Sequence, residues 1–388
     1  MEVETNVLKR KAPTFQTAID RWARIGPYYA MFPVDFAFEV IETYTKPGNR
    51  VLDPFVGRGS SIYAAAARGR TGCGIEINPV GWLYSSVKLR PTTKGRVLKR
   101  LYELASEAKE IDIKRANLSE FFSYAYAPEV LRFLLAAREN LKWKADESKI
   151  DRTLMAFILV HLHGKRSSSL SNQMRDSKAM APDYSVRWWK ERNMEPPLIN
   201  PVSFLEHKIS WRYKKGKPKL PGDILLGDSI SFLNSGLQRQ ALSKPFDLLF
   251  TSPPYYSVTN YHCDQWLRLW MLGQRPSPRR RGGKWERRFE SQSDYHKLLD
   301  GVFSGVAPLM SDDAIVVVRT DARQFTLSAT IKALAVAFPN KTLKKEARPL
   351  SKKTQTALYG DTSKKPGELE ILTFSLEQST KKLLVVKK

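Results

Sequence analysis

Cysteine is nearly absent from this chain: among its 388 residues only Cys73 and Cys263 occur. Two thiols cannot build a disulfide framework, and their scarcity suits a reducing compartment such as the cytoplasm. Histidine is also sparse, at five residues. His161 and His163 lie two apart, on different faces of any helix, so no metal-ligand spacing stands out and no metal is expected. No apolar run approaches the ~20 residues of a spanning helix, and the charged start from Met1 to Lys11 lacks the apolar stretch of a secretory signal. No membrane role is expected. Acidic residues are the last shortage. Against 64 Lys and Arg there are 39 Asp and Glu, a formal net charge of +25, which calls for a polyanionic partner.

What is present is ordinary for a folded protein: 42% hydrophobic and 11% aromatic residues, enough for a large core. At this length one expects a large domain with an insertion, or two closely associated domains. A helix-spaced set, Phe36, Val40, Ile41 and Tyr44, ends at Pro47-Gly48. Arg50-Val51-Leu52-Asp53 then reads as a strand entering the loop Pro54-Phe55-Val56-Gly57-Arg58-Gly59-Ser60, and the alanines 64–67 continue as a helix. Thr71 to Ile77 reads as a second strand, completing a βαβ unit. From Lys88 to Pro221 only helical spacing is evident, as in Leu131, Leu134, Leu135 and Leu154, Ile158, Leu162. Buried strands resume at Asp223 to Asp228 and Phe246 to Phe250, followed by Ala314 to Val318 and Glu368 to Phe374. The expected fold is a Rossmann-like α/β architecture: a mostly parallel seven-stranded sheet with one antiparallel strand, helices on both faces and a large helical insertion. Residues 20–90 and 220–376 would form a discontinuous catalytic domain, 91–219 the helical insertion and 377–388 a basic tail.

The glycine loop excludes two common ligands. A dinucleotide fingerprint requires a third glycine after two further residues, and Gly57-x-Gly59 is followed by Ser60, Ser61 and Ile62. The other possible phosphate loop, Gly164-Lys165, continues with Arg166 and has no glycine five residues upstream. What remains is a carboxylate at each strand end. Asp53 can face a cationic amino group, and Glu76 can accept hydrogen bonds from both hydroxyls of a ribose. A simple Asp-Pro turn and a solvated strand end are the plain alternatives.

The second informative segment is Asp247 to Tyr256, an apolar strand that runs into Thr251-Ser252-Pro253-Pro254-Tyr255-Tyr256. Two prolines cannot donate to a sheet, so the strand stops there and its carbonyls are held in fixed directions beside an aromatic ring. Such a site suits an exocyclic amine on a flat base: Ser252 and the Pro253 carbonyl accept its hydrogens and Tyr255 stacks on the ring. A proline turn with exposed tyrosines is the plain alternative.

Together these segments resemble the DNA amino-methyltransferases that use S-adenosylmethionine. That family carries a D-P-F-x-G-x-G cofactor motif, here Asp53 to Gly59, and an (S/D/N)-P-P-(Y/F/W) catalytic motif, here Ser252, Pro253, Pro254 and Tyr255. Serine at the first catalytic position resembles the N4-cytosine branch, typical of restriction-modification systems, more than the N6-adenine branch. The resemblance implies S-adenosylmethionine as cofactor, held by Phe32, Pro33, Asp53, Phe55, Gly57, Gly59, Glu76 and Asp228. Phe32-Pro33 would close over the methionine part and Asp228 would meet the adenine amino group. It also implies double-stranded DNA as partner, with a cognate restriction endonuclease as a functional one. Carbon-5 methylation is disfavoured, because Cys73 follows Gly72 and Cys263 follows His262 where a Pro-Cys pair would be expected. The other readings are N6-adenine methylation, amino methylation of RNA, and a non-catalytic DNA-binding subunit.

The insertion departs from the family layout, which places a single helix between the strands ending at Glu76 and Asp228. Within it Lys165, Arg166, Asn172, Gln173 and Arg175 combine groups that bond phosphates and base edges, and they are expected to contact DNA. A solvated basic loop is the alternative. A second basic stretch after the catalytic loop, Arg279, Arg280, Arg281, Lys284, Arg287 and Arg288, is expected to clamp phosphates.

Overall fold

A computed structural model of the chain describes residues 15–28, 33–145, 148–235, 244–256, 261–278, 291–321, 323–346, 368–375 and 386–387. Its centre is a sheet of eight strands: β1 Arg50–Asp53, β2 Thr71–Glu76, β3 Asp223–Leu226, β4 Phe246–Thr251, β5 Met310–Asp321, β6 Lys341–Glu346, β7 Glu368–Ser375 and β8 Val386–Lys387. The order is β3-β2-β1-β4-β5-β7-β6, with the short β8 paired to β7. β1 to β5 are mutually parallel where they pair, and β7 runs antiparallel to β5 and β6. This is the expected α/β sheet, with eight strands among the described residues against seven expected, and two of them, β6 and β8, where no strand was read from the sequence. The additions are local. β6 reads Lys-Thr-Leu-Lys-Lys-Glu, whose single strong apolar residue leaves no alternation to find, and β8 is two residues long.

The central strands are apolar on both faces, and the pleat sends successive residues to opposite sides. Val51, Leu248, Phe250 and Val317 join one buried cluster, while Leu52, Leu249, Val316 and Val318 join another. Helices cover each face. On the first lie α1 Ala18–Ala23, α2 Val34–Tyr44, α3 Ser60–Ala67 and α4 Pro79–Leu89. On the second lie α11 Ser229–Asn234, α14 Gln292–Val306 and α15 Gln324–Ala337, with Tyr295, Leu298, Leu299, Val302 and Leu334 against the sheet.

The segment between α4 and β3 holds α5 Lys94–Glu107, α6 Glu120–Ala125, α7 Pro128–Asn140, α8 Lys149–His161, α9 Pro182–Lys190 and α10 Pro201–Tyr213. Its apolar faces continue the first cluster: Val97, Leu101, Leu134, Leu154, Ile158, Leu205 and Ile209 share it with α2, α3, α4 and the sheet. After β4 come the single turn α12 Tyr261–Asp264 and α13 Trp266–Met271. Trp266 and Trp270 of α13 pack on Phe121 and Phe122 of α6, with ring centroids 5.0 and 4.6 Å apart for the Phe121–Trp266 and Phe122–Trp270 pairs. No helix among the described residues is long and apolar enough to cross a membrane.

Candidate active site

β1 and β4 are parallel neighbours in register at Leu52 and Leu249. Their C-terminal ends therefore lie together, where ligands of open α/β sheets bind. Asp53 closes β1 and Thr251 closes β4. The Thr251 hydroxyl donates to Asp53 Oδ1 at 2.6 Å, the Phe55 backbone N–H donates to the same oxygen at 3.0 Å, and the Ser61 hydroxyl donates to Oδ2. Two motifs 198 positions apart are thus joined by one hydrogen bond. Asp53 is 1% exposed, and burial pushes its carboxyl up to about 6 against the three hydrogen bonds that favour the charge. Where the sequence suggested a partner for a ligand's amino group, this carboxylate faces hydroxyls of the protein itself.

The loop after β1 wraps onto the end of β2. Glu76 accepts from Gly57 N–H at 2.7 Å through Oε2 and from Asn78 N–H at 2.8 Å through Oε1. Burial pushes its carboxyl up to about 7, opposed by those backbone donors. Gly57 and Gly59 have φ of +53° and +77°, a region that favours glycine. Their surroundings differ. A Cβ on Gly59 would lie 2.6 Å from Ser85 Cβ, so this glycine serves the close packing of loop on α4. A Cβ on Gly57 would meet only the Tyr28 ring, at 3.7 Å, so the backbone here is approachable. Tyr28 is buried, and no motif pointed to it. Pro33 opens α2 as its N-cap, and Phe32 lies outside the described residues.

The next strand closes the corner. Gly227 N–H donates to the Glu76 carbonyl at 2.9 Å, and the Ser229 hydroxyl donates to the Pro54 carbonyl. Asp228 caps α11, with Oδ1 accepting from the Ser231 N–H at 2.9 Å and its hydroxyl at 3.0 Å. Phe55 is half-buried against the second cluster. Asp53, Phe55, Gly57, Glu76 and Asp228 thus meet at the tips of three adjacent strands.

Beyond Thr251, Ser252 is half-buried and Pro253, Pro254 and Tyr255 are buried. The following residue anchors the loop. The Tyr256 ring packs edge-on against Phe325 at 4.7 Å and Tyr295 at 5.7 Å, and its carbonyl accepts from Arg323 at 2.7 Å. Arg323 precedes α15 and carries no sequence motif. Residues 257–260 lie outside the described set, as do Arg279, Arg280, Arg281, Lys284, Arg287 and Arg288.

The loop that follows α8 is bound to α12 and α13 by a dense set of contacts. Arg268 of α13 is fully buried. It donates to the Leu159 carbonyl at 3.0 Å, the Asp176 carbonyl at 2.6 Å and Gln265 Oε1 at 2.8 Å. Lys178 pairs with the buried Asp264, Ala179 N–H donates to the Asp264 carbonyl at 2.9 Å, and Trp266 Nε1 donates to the Met180 carbonyl at 3.1 Å. Of the residues expected to touch DNA, Lys165, Arg166 and Arg175 are exposed. Asn172 is not. It is fully buried, its amide donates to the Tyr124 and Met194 carbonyls at 3.1 and 3.0 Å, and its Oδ1 accepts from Gln173 N–H at 2.9 Å. Gln173 Oε1 is engaged by Arg166 N–H at 3.1 Å. These two amides shape the loop and leave the three cations to face outward. Among the described residues no three metal-ligating side chains cluster.

Sheet order and pairing define a class: an α/β fold of the methyltransferase type, a kind of open sheet whose ligands bind at the strands' C-terminal tips. The family model described as DNA methylase, of the N6/N4 methyltransferase kind, matches residues 4–80. Over that segment the chain is similar to the N6/N4 DNA methylases. A Type II methyltransferase, M.MthZI of Methanothermobacter thermautotrophicus, is 41% identical over 88 residues, which are 23% of this chain and 21% of that one. The match spans about a fifth of that relative's length. Solved structures similar to this chain include the rRNA methyltransferase AviRa of Streptomyces viridochromogenes, with 11% identity, coverage of 92% and 89% of the two chains and a TM-score of 0.33. A TehB-like methyltransferase of Corynebacterium glutamicum has 7% identity, coverage of 87% and 86% and a TM-score of 0.32. The assignment of fold rests on the strand order and pairing, to which scores of this size add nothing.

Proposed function

We propose that the chain is a site-specific DNA methyltransferase. It would transfer a methyl group from S-adenosylmethionine to the exocyclic N4 amine of a flipped cytosine in double-stranded DNA, as the modification enzyme of a restriction-modification system in the prokaryotic cytoplasm. The observation that carries this reading is the Thr251–Asp53 hydrogen bond, which joins the cofactor loop to the Ser-Pro-Pro-Tyr segment. The N6/N4 match over residues 4–80 supports an amine acceptor. Serine ahead of the two prolines supports cytosine.

The residues at the strand tips fit the cofactor. The backbone at Gly57 is approachable, Glu76 is an acceptor beside it, and the Ser60 hydroxyl at the start of α3 is buried with no hydrogen-bond partner among the described residues. When bound, S-adenosylmethionine supplies a methyl group activated by its sulfonium charge. Gly57, Glu76 and Asp228 would hold its adenosine half. Asp53 acts one step back, holding Thr251 and Ser61 and with them the loops on either side.

A base inside a duplex hides its amine, so the target is turned out of the stack, and Tyr255 replaces the lost stacking. The Ser252 hydroxyl and the Pro253 carbonyl accept the two amine hydrogens. Those bonds disfavour delocalisation of the nitrogen lone pair into the ring and aim it at the methyl carbon. Ser252 and Pro253 would thus hold the amine in line with the methyl group that the bound cofactor would supply, its sulfur leaving as a neutral thioether, and the surplus amine proton would pass to solvent. Holding the reactants in near-attack geometry contributes ~7 to 11 kcal/mol. On the DNA side, Lys165, Arg166 and Arg175 would contact the duplex, with the arginine-rich stretch around Arg279 to Arg288 on the phosphates. The ties from Arg268, Lys178 and Trp266 link the first of these loops to the helices that follow the catalytic segment.

The test separates transfer from cofactor binding. Ser252→Ala is expected to lower the single-turnover rate of methyl transfer to DNA by about a hundredfold, the scale of one lost transition-state hydrogen bond, with the dissociation constant for S-adenosylmethionine unchanged. An unchanged rate, or a parallel loss of cofactor binding, contradicts the role given to Ser252.

A further inference from the structure

Asn78 lies two residues beyond Glu76, at the point where β2 gives way to α4. It is the N-cap of that helix: its side-chain Oδ1 accepts from the Val80 N–H at 3.0 Å. Because that partner is a donor, the bond fixes which end of the amide is oxygen, and Nδ2 occupies the other position. Nδ2 has no hydrogen-bond partner among the described residues, and Asn78 is 2% exposed. A buried amide N–H without an acceptor is costly, and native structures seldom leave one unmet.

The cap does not account for the amide. Serine or aspartate caps a helix as well as asparagine does and leaves no N–H to satisfy. Nor do the neighbours supply an acceptor. None of the oxygens nearby, on the Glu76 carboxylate and carbonyl or on Asp228, hydrogen-bonds Nδ2: the Glu76 carboxylate accepts from the N–H groups of Gly57 and Asn78 and keeps lone pairs free, the Glu76 carbonyl accepts from Gly227, and Asp228 Oδ1 accepts from Ser231. Gly81, one turn into α4, holds the corner tight: a Cβ there would lie 2.8 Å from the Gly57 carbonyl oxygen and 3.1 Å from Glu76 Cγ. The tip of β2 thus presents an acceptor, Glu76, and an unmet donor, Asn78, side by side.

We propose that Asn78 Nδ2 is a contact for the adenosine half of the cofactor, donating to a ribose oxygen or a ring nitrogen. The inference rests on the assignment of S-adenosylmethionine to this site. Adenosine matches both groups: its hydroxyls donate to Glu76, and its ring nitrogens and ribose oxygens accept from Asn78. The amide then positions the nucleoside, and through it the methyl group, relative to Ser252.

Equilibrium titration of the full chain with S-adenosylmethionine and with 5′-methylthioadenosine, which keeps the adenosine half and lacks the amino acid, tests this. In Asn78→Ser and Asn78→Asp, which both retain a capping oxygen, both ligands are expected to bind about tenfold more weakly. The ligand-free melting temperature is expected to stay within about 2 °C of wild type. Unchanged affinity in Asn78→Ser overturns the proposal, and so does a loss for S-adenosylmethionine with none for 5′-methylthioadenosine. A melting temperature that falls while affinity holds assigns Asn78 to the helix cap alone and also overturns it. If the wild-type chain binds neither ligand, the cofactor assignment itself fails, and that result is distinct from failure of the variants.

Discussion

Asp53 and Glu76 are buried carboxyls held above the ordinary carboxylate range, and each has a task other than charge display. Asp53 receives the hydroxyls of Ser61 and Thr251 and the N–H of Phe55. Thr251→Val removes one of these and leaves a buried carboxylate oxygen with one donor fewer. A loss of about 1 to 3 kcal/mol in stability is expected by urea denaturation, along with slower methyl transfer as Ser252 loses its fixed neighbour. Glu76 gives a pH dependence. Its carboxyl is raised from 4.5 to about 7 in the folded chain, so between those values the folded state holds a proton that the unfolded state has lost. Its contribution to stability is therefore present below about pH 4.5 and is lost as pH rises through 7. Ligand binding runs the other way, because the ionised carboxylate is the better acceptor for ribose hydroxyls. Affinity for S-adenosylmethionine is expected to rise between pH 6 and 8 by about the fraction of Glu76 ionised. In Glu76→Gln that rise should vanish, and one of the two backbone N–H groups that Glu76 receives, Gly57 or Asn78, loses its acceptor. Asp53, Glu76 and the Ser-Pro-Pro-Tyr run were legible because each sits at a strand end in a recognisable string. Tyr28, Arg323 and Arg268 were not, since single aromatic and basic residues become informative only when folding puts a glycine, a carbonyl or a helix beside them.

At the scale of elements, the strands β1 to β5 and β7 announced themselves through continuous apolar runs, the expected pattern when both faces are covered. β6 did not, because its lysines leave Leu343 as the only strong apolar residue and its pairing is set by β7. The insertion was legible as helical, but its attachment was not. Arg268 donates to two backbone carbonyls of the insertion and to Gln265, and nothing in the spacing of Arg268 and Asp176 discloses that contact. Arg268→Gln should leave at least one of those carbonyls unmet and cost about 2 to 4 kcal/mol, since hydrogen bonds from a charged donor are the stronger kind. In the same variant DNA affinity should fall while affinity for S-adenosylmethionine holds, because the disturbed loop carries Lys165 and Arg166 and none of the strand-tip residues. Equal weakening toward both ligands would contradict the separation of the two sites.

For the whole molecule the excess of 25 positive charges is the dominant property. Binding to a duplex by phosphate contacts releases counterions, so the logarithm of affinity should fall linearly with the logarithm of salt concentration. Replacing both Lys165 and Arg166 with alanine is expected to reduce that slope by about 2, with a weakening shared across sequences. An unchanged slope would make this loop a solvated surface and shift the DNA contacts elsewhere. The continuous apolar cluster that runs from the sheet through α4 into α5, α7, α8 and α10 also takes in Leu170 and Met174 of the basic loop.

The target base is decided most directly by mass identification of nucleosides from plasmid DNA carried in cells that express the chain, with Ser252→Ala as the control. N4-methylcytosine in the wild-type sample and none in the control is the expected result. N6-methyladenine alone, or no modified base in either sample, would contradict the assignment.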